Sequence, residues 1–225
     1  MSEVLNTYGD DRLATISQHG VDIAVQRADD LDRAALDFLA SLSGVKRALD
    51  VGSASGGQAI RMAEIGADVV AVDLDDYTES FFAMARARDI GDRCHFVRTN
   101  VVSFDVATQV GLFDAIVCQR MIHYLPFETA VGVVRNFHQA LLPGGRLYIS
   151  ASGIYSELGH GYAATTAPLS ARFAPLQGAM ATKHAIQGSV CLYSHEDMIE
   201  LLEEAGAEVV KVFVSEFGNV KAIAK

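Results

Sequence analysis

Two residues, Gly52 and Asp73, mark the stretch of the sequence where ligand chemistry is most readily expected. Gly52 opens a turn of small residues, 52–57, and Asp73 follows an apolar run 21 positions later (73 − 52). Small residues let backbone amides approach a ligand closely, and an acid at a strand end can accept both hydroxyls of a ribose. The spacing is close to the roughly 20 residues of a nucleotide-binding strand–turn–helix–strand unit. The sequence therefore predicts an adenosine-shaped slot.

The elements that must position these residues are two buried strands and the helix between them. Residues 48–51 and 69–72 are short apolar runs, as expected for strands covered on both faces. Between them a helical pattern begins near Gln58 and ends at Gly66. The unpaired N–H groups at the start of this helix would give the ligand a polar floor. Such a unit suits either a dinucleotide or S-adenosylmethionine.

The rest of the chain extends this unit into one sheet. Further strands are predicted at 95–98, 113–118, 146–150, 208–214 and 217–224, and further helices at about 30–43, 77–89, 126–141 and 194–205. The connection between the last two strands is too short for a parallel crossover, so they should pair antiparallel. The predicted fold class is α/β, a Rossmann-like seven-stranded, mostly parallel sheet with helices on both faces and the last strand antiparallel.

Two segments lie outside the regular alternation of strands and helices. We expect residues 1–44 to form an N-terminal helical cap, with a short helix between Asp10 and His19. Residues 45–225 should form the ligand-binding domain. Its irregular insertion at about 152–193, rich in Ala, Gly, Ser and Thr, is expected to act as a lid.

Composition and charge argue against several classes of partner. The net charge of −10 and the absence of a basic run disfavour DNA or large RNA. The three cysteines are far apart and form no CxxC pair, so neither a disulfide framework nor a metal site is expected. The sequence has neither a signal-peptide pattern nor a bilayer-spanning apolar run, so we expect a cytoplasmic protein with no membrane contact. A homodimer is compatible with the sequence.

Several motifs then occur in the order found in one enzyme family. Residues 50–56 read DVGSASG, with Ala54 where the middle glycine is usual. AVDLDD at 71–76, NVVSF at 100–104, FDAIVCQRMIHYL at 113–125 and ALLPGGRLYIS at 140–150 follow. Over residues 45–225 this series resembles the motifs of the class I S-adenosylmethionine-dependent methyltransferases. The resemblance implies S-adenosylmethionine as the cofactor and methyl transfer to an oxygen or nitrogen atom of a small-molecule acceptor.

The resemblance also implies which residues bind the cofactor. They are Asp50, Gly52, Ser53, Ala54, Asp73, Leu74, Asn100, Val101 and Gln119. Backbone groups at 52–54 should line the methionine part, and Asp50 should hold the turn or reach the amino group through water. Asp73 should bind the ribose hydroxyls, and Leu74 should lie against the adenine ring.

The remaining cofactor roles involve Asn100, Val101 and Gln119. The Asn100 amide should contact the exocyclic amine, the Val101 N–H a ring nitrogen, and a carbonyl of Gln119 the methionine amine. Simpler roles stay open for the polar residues. Asp50 could pair with Arg47, Asp73 could cap a helix, and Asn100 could be only a turn residue.

Two histidines are candidates for a general base, because the pKa of histidine suits removal of a proton from an acceptor. His123 lies a few residues beyond the fourth predicted strand, near the expected methyl position. Its alternative role is to bond to adenosine or to cap the helix at Pro126. His160 lies between two glycines of the lid insertion and is the second candidate.

The lid insertion supplies the candidate substrate residues Tyr155, Arg172, Lys183 and His184. Arg172 and Lys183 against Glu157 give the lid a net charge of +1 (2 − 1), within a chain of −10. The hypothesis is that the lid closes over a small acceptor and that its cations orient an anionic group. A solvated loop with scattered charges is the alternative.

Three other functions fit the same sequence less well. A nicotinamide enzyme should have a fuller glycine fingerprint and a Tyr-x-x-x-Lys pair, which the sequence lacks. A methyltransferase-like module that binds the cofactor without turnover is a second alternative, and a protein or RNA methyltransferase is a third. The sequence also lacks an Asn/Asp-Pro-Pro-Tyr-like motif at 118–121, which disfavours methylation of exocyclic base amines.

Overall fold

The computed structural model describes residues 14–225 of the chain. These residues are organised around one seven-stranded sheet. In chain order the strands are β1 (Lys46–Val51), β2 (Ala67–Asp73), β3 (Cys94–Arg98), β4 (Phe113–Gln119), β5 (Leu141–Ala151), β6 (Ala174–Pro175), β7 (Ser189–Val190), β8 (Val209–Val214) and β9 (Val220–Ala224). The large sheet has the order β3-β2-β1-β4-β5-β9-β8, while β6 and β7 pair separately. The first five strands are parallel and β9 is antiparallel to both neighbours, which confirms the predicted fold class.

Helices cover both faces of the large sheet. They are α1 (Asp30–Ser41), α2 (Gly57–Glu64), α3 (Thr78–Ala87), α4 (Val106–Gln109), α5 (Phe127–Gln139), α6 (Gly178–Lys183) and α7 (His195–Glu204). Two of them begin with a capping box, in which the cap residue and the third helical residue exchange hydrogen bonds. Asp29 with Asp32 begins α1, and Ser194 with Asp197 begins α7.

The core consists of two apolar layers, one on each face of the sheet. Leu49 and Val51 of β1 join the layer that includes α5 and α7. Ala48 of the same strand joins the opposite layer, which includes α1, α2 and α3. Successive strand residues point to opposite faces, so a strand covered on both sides needs apolar residues at every position. This is why the apolar runs of the sequence lack polar alternation.

The strand order places a crevice at one edge of the sheet. β1 pairs with β2 on one side and with β4 on the other, so the order of strands reverses between β1 and β4. In open α/β sheets ligands bind outside the carboxyl ends of the strands at such a reversal. Gly52 follows the carboxyl end of β1, Asp73 ends β2, and Gln119 ends β4.

Two element boundaries differ from the prediction. The helix predicted at about 126–141 ends earlier, because α5 ends at Gln139. Leu141 is instead the first residue of β5. The last strand begins at Val220 and not at Phe217, because the N–H of Ser215 donates to the carbonyl oxygen of Asn219 at 2.9 Å and closes a turn.

The short helix expected between Asp10 and His19 lies partly outside the described residues. From Ala14 to His19 the chain is not helical. It forms a turn flanked by isolated bridges, Ala14 with Val21 and His19 with Ile186. Within residues 14–225, no helix is long and apolar enough to cross a membrane.

The insertion between β5 and α7 contains β6, α6 and β7 and has an apolar cluster of its own. The buried members of this cluster are Leu158, Tyr162, Leu176, Ile186, Val190 and Leu192. Tyr162 fixes the strands of the insertion, because its hydroxyl donates to the carbonyl oxygen of Val190 at 2.7 Å. The insertion is therefore a packed layer above the sheet edge.

Candidate active site

The turn after β1 packs so closely that its first residue must be small. Gly52 has φ +66°, and a Cβ added there would lie 2.8 Å from Cγ of Met121. Both the positive φ and this contact favour glycine. The N–H groups of Gly52 and Ser53 donate to the carbonyl oxygen of Val72 at 2.9 and 3.2 Å. The turn is thereby tied to the end of β2.

Asp73 faces this turn from the end of β2. Its Oδ2 accepts a hydrogen bond from the Ala54 N–H at 2.8 Å, and its Oδ1 accepts one from the Asp75 N–H at 3.0 Å. Burial raises the pKa of Asp73, and the main-chain donors oppose this rise. The main chain therefore orients the carboxylate, which has lone pairs left for further donors.

A cavity of about 250 Å³ opens beside Asp73. Leu74, Asn100 and Val101 line it, as the prediction of an adenosine slot requires. The Asn100 Oδ1 accepts a hydrogen bond from the Val102 N–H at 3.0 Å. The Val101 N–H makes no hydrogen bond within residues 14–225. Asn100 thus has a turn-forming role, and Val101 has a free donor at the cavity.

A larger cavity of about 540 Å³ lies next to the first. Asp50, Ser53 and Gln119 line it, together with residues from α1, from the insertion and from the β8–β9 turn. Six residues line both cavities: Thr15, His19, Gly52, Ala54, Arg120 and Tyr124. The two cavities are therefore the two ends of one cleft.

The floor of the larger cavity is a hydrogen-bond network centred on Gln119. Its Oε1 accepts from the Ser150 hydroxyl at 3.0 Å, and its Nε2 donates to Asp29 at 3.1 Å and to Asp32. Lys221 extends the network by donating to Asp29 at 2.6 Å. The side-chain amide of Gln119 is therefore bonded at both ends.

The acids of this network have opposite pKa shifts. Burial opposes ionisation of Asp29, but the adjacent Lys221 outweighs burial and lowers the pKa of Asp29. Burial and then the charge of Asp29 raise the pKa of Asp32. The more acidic of the two carboxyl groups is therefore Asp29, which lies beside the lysine of the network.

Asp50 is only 5% exposed and lies under the first turn of α2. Its Oδ2 accepts a hydrogen bond from the Ala59 N–H at 2.9 Å. Burial, followed by the charge of Asp32, raises the pKa of Asp50 to about 8, from an ordinary value of 3.8. No bond joins Asp50 to Arg47, whose guanidinium donates to the carbonyl oxygens of Leu112 and Val110.

His123 is 1% exposed and lines the larger cavity. Its Nδ1 accepts a hydrogen bond from the Ser152 N–H at 3.4 Å, so the ring proton of the neutral form lies on Nε2. Within the described chain, Nε2 has no hydrogen-bond partner. Burial, then the charges of Arg120 and His19, lower the pKa of His123 to about 3. His123 is thus a weak base with an unsatisfied N–H donor.

Arg120 stands directly after β4, on the wall that the two cavities share. Its φ of +50° is uncommon for a residue with a side chain. Its N–H holds this conformation by donating to the carbonyl oxygen and Oγ of Ser150, each at 3.0 Å. Within residues 14–225 its guanidinium makes no hydrogen bond or ion pair.

Residues 14–28, here called the strap, cross the mouth of the cleft. Ser17 binds Asp75 through its N–H at 3.0 Å and its hydroxyl at 2.6 Å. The Gly20 N–H donates to the carbonyl oxygen of Ala185 in the insertion at 3.0 Å. The strap therefore joins the end of β2 to the insertion.

Three residues proposed from the sequence lie away from the cleft. Tyr155 is 82% exposed and lines neither cavity. His160 is exposed and is likewise absent from both walls. Arg172 is buried in an ion pair with Asp197 and also donates to the carbonyl oxygen of Leu192 at 3.1 Å. The structure thus brings none of these three residues to the walls of the two cavities, and their catalytic and substrate roles stay predictions.

The other two lid residues are joined through Glu157. Lys183 forms an ion pair with Glu157, and His184 Nε2 lies 3.0 Å from Glu157 Oε2. Glu157 and His184 line the larger cavity, whereas Lys183 does not. Lys183 therefore lies outside the cavity walls, paired with an acid that lines the larger one, and its substrate role stays a prediction.

Arg120, Asp29 and Lys221 line the cleft but were missed in the sequence reasoning. Arg120 could have been found, because it is a cation immediately after the end of β4, beside Gln119. Asp29 immediately precedes the helix predicted at about 30–43, a position that indicates only a helix cap. Lys221 lies in the last strand, 192 positions from Asp29, and nothing local in the sequence connects them.

Comparison with known proteins gives this site a family. The sequence model of a family described as a methyltransferase domain matches residues 23–212. The ubiquinone biosynthesis O-methyltransferase of Xanthomonas oryzae pv. oryzae is 34% identical over 119 residues, 51% of this chain and 47% of that protein. The chain thus spans about half the length of the curated relatives it matches.

Solved structures share the fold at low identity. The 1,6-didemethyltoxoflavin-N1-methyltransferase of Burkholderia thailandensis, solved with bound 1,6-didemethyltoxoflavin and S-adenosylhomocysteine, has a TM-score of 0.63 at 23% identity, covering 89% of this chain and 80% of that one. The [4+2]-cyclase SpnF has a TM-score of 0.59 at 20% identity, covering 84% and 60%. These likenesses concern the fold, whereas the family match extends over most of the sequence: the chain belongs to the methyltransferase domain family.

Proposed function

We propose that the protein transfers the methyl group of S-adenosylmethionine to an oxygen or nitrogen atom of a small-molecule acceptor. The observation that supports this most directly is the two-ended cleft, whose cavities meet at Gly52 and Ala54. The smaller cavity has the acid and the apolar wall that suit a nucleoside. The larger cavity has room for the methionine part of the cofactor and for an acceptor. Family membership supports the same reaction.

The residues around the smaller cavity fit the adenosine part of this cofactor. Asp73 would accept the ribose hydroxyls, for which the Ala54 N–H already orients it. Leu74 is half exposed at the cavity and would lie against the base. The free N–H of Val101 would donate to a ring nitrogen, with Asn100 holding the turn.

The larger cavity would hold the methionine part. Asp29 suits a group with an ammonium and a sulfonium, since Lys221 lowers the pKa of Asp29 and the carboxylate lines this cavity. Gln119 would offer its main-chain carbonyl, because its side chain is already bonded. When bound, S-adenosylmethionine supplies an activated methyl group, so the protein needs mainly to align the acceptor and exclude water.

We propose that the strap and the insertion close this cleft. Residues 1–44 would act as a cap, of which the strap is the part that crosses the mouth, and residues 152–193 would act as the lid. The His19–Ile186 bridge and the bond from Gly20 to Ala185 support this, because they join the two segments above the cavities. His184 would be the lid residue nearest the acceptor.

The experiment that tests the proposal is calorimetric titration with S-adenosylhomocysteine and S-adenosylmethionine. Asp73→Ala should weaken both at least tenfold, since charge-assisted hydrogen bonds contribute about 1.5–3 kcal/mol. Asp76→Asn is the matched control, because Asp76 is exposed and lines neither cavity. Absence of heat with the wild-type protein, or an unchanged affinity of Asp73→Ala, would overturn the proposal. Methylated product should then be sought by mass spectrometry.

A further inference from the structure

The larger cavity, where an acceptor would meet the methionine part of the cofactor, contains a cation without a partner in the described chain. Four cationic side chains line the larger cavity: Arg27, Arg33, Arg120 and Lys221. Lys221 is paired with Asp29, Arg33 donates to the carbonyl oxygen of Ala28 at 3.1 Å, and Arg27 has a partner. Of these four, the Arg120 guanidinium alone makes neither a hydrogen bond nor an ion pair within residues 14–225. A half-buried guanidinium of this kind can form strong bidentate bonds with an anion.

Most acids of the same wall are already hydrogen-bonded to other groups, and within residues 14–225 none forms an ion pair with Arg120. Asp29 and Asp32 bind Gln119, and Asp50 accepts from Ala59. Further ionisable groups reach the cavity from the strap (His19 and Asp22), from the insertion (Glu157 and His184) and from the β8–β9 turn (Glu216). Asp22 accepts from the Ser55 N–H at 3.1 Å, and Glu157 is paired within the insertion.

A second unsatisfied donor lies on the same turn. His123 Nε2 is buried and has no partner within the described chain, and the tautomer set by Ser152 makes it an N–H donor. A buried donor left without a partner costs about 1–3 kcal/mol, which an acceptor oxygen placed there would recover. Arg120 and His123 are three positions apart in sequence and both line the larger cavity, where Nε2 of His123 is buried.

We propose that Arg120 and His123 form an oxyanion subsite that binds the methyl acceptor as its anion, a phenolate or carboxylate. This assignment rests on the proposed methyl transfer. The acceptor's proton leaves to solvent before or during binding, so no side chain has to remove it at the moment of transfer. This fits the weak basicity of His123, and it makes Arg120 a residue that selects acidic hydroxyl compounds.

The competing occupant of Arg120 is the carboxylate of the donor's own methionine part. Two ligands separate the cases. If Arg120 bound the donor carboxylate, Arg120→Gln would weaken S-adenosylhomocysteine but not methylthioadenosine, which lacks that group. We expect both affinities to be unchanged within about threefold, and a selective loss for S-adenosylhomocysteine would overturn the assignment.

The direct test uses para-nitrophenol as the probe, because its phenolate has its own visible absorption. Protein saturated with S-adenosylhomocysteine should bind the phenolate at least tenfold more tightly than the phenol, which lowers the apparent pKa of the bound probe by about one unit. Arg120→Gln should abolish this shift, and Arg120→Lys should retain part of it. Arg33→Gln removes the same charge from an exposed position of the same wall and should leave the shift in place.

The affinities of the wild-type protein for phenol and phenolate test the oxyanion subsite even if a variant fails to fold. Equal affinity for phenol and phenolate, or no saturable binding of the probe, would contradict the oxyanion subsite. S-adenosylhomocysteine binding in the same samples separates the two proposals. Its absence would refute methyl transfer, whereas its presence without a probe shift would refute only the subsite.

Discussion

The main-chain N–H of Ala54 donates a hydrogen bond to Asp73 Oδ2 at 2.8 Å, so the residue that replaces the middle glycine of the family motif holds the acid of the nucleoside slot. Ala54 makes this bond at φ +46°, a conformation that glycine adopts more readily. The replacement therefore keeps the function of the turn, since the bond depends on the main chain and not on the side chain.

Substitutions at Ala54 should separate the effect of its main-chain hydrogen bond from the effect of a side chain at positive φ. Ala54→Gly should leave the free energy of unfolding within about 1 kcal/mol, because relief of the positive φ is offset by a more flexible unfolded chain. Ala54→Val should destabilise the fold by more than about 1 kcal/mol, since a β-branched residue resists this φ. Urea unfolding and titration with S-adenosylhomocysteine measure both effects. A valine variant as stable as the wild type would contradict the argument.

The buried Asp50 should make stability depend on pH. Its pKa is about 8 in the folded protein and near 3.8 in the unfolded chain, so the folded state holds the proton more tightly. Its contribution to stability is therefore full below about pH 4, falls as the pH rises towards about 8, and is lost above that. Asp50→Asn can keep the bond from the Ala59 N–H without titrating.

We expect the free energy of unfolding of Asp50→Asn to rise relative to that of the wild type as the pH increases from about 4 to about 8. Above about pH 8 the difference should reach at least about 1.4 kcal/mol, the value of one pKa unit. Unfolding curves recorded from about pH 5 to about pH 9 would measure it. Parallel pH profiles for the two proteins would show that Asp50 is ionised in the fold.

How much of this site could be predicted depends on the range of the interactions. Gly52 and Asp73 belong to one strand–turn–helix–strand unit, so local spacing places them together. The partner of Arg172 could not be predicted, because Asp197 lies 25 positions away and its helix-capping pattern is the only local signal. The sequence shows that the insertion is cationic, but only the packed structure shows that its cations are already paired.

Removal of the Arg172 side chain should accordingly lower the free energy of unfolding more than removal of the Lys183 side chain. Arg172→Ala should cost about 3–5 kcal/mol, because it leaves Asp197 as an unpaired buried charge. Lys183→Ala should cost about 0–1 kcal/mol, since its ion pair with Glu157 is partly exposed. Thermal unfolding of both variants checks this order. A raised Michaelis constant for the acceptor in a fully folded Arg172→Ala protein would instead restore its substrate role.

A substitution at Gly57 tests directly whether the strap closes the cleft. A Cβ at this position would lie 2.1 Å from the carbonyl oxygen of Ala24 and 2.5 Å from the N of Val25, both main-chain atoms of the strap. Gly57 is not at a positive φ, so alanine is acceptable to the helix itself and would ordinarily favour it. Any loss in Gly57→Ala must therefore come from displacement of the strap.

We expect Gly57→Ala to cost about 1–3 kcal/mol, the usual range for overpacking. It should expose the strap to limited proteolysis and weaken S-adenosylhomocysteine at least about fivefold, because Thr15 and His19 line both cavities. Gly91→Ala is the matched control, since a Cβ there meets nothing within 4 Å and the φ is not positive. If Gly57→Ala were more stable than the wild type and bound S-adenosylhomocysteine equally well, the strap would not close the cleft, and the cavities would have to be open to solvent on that side.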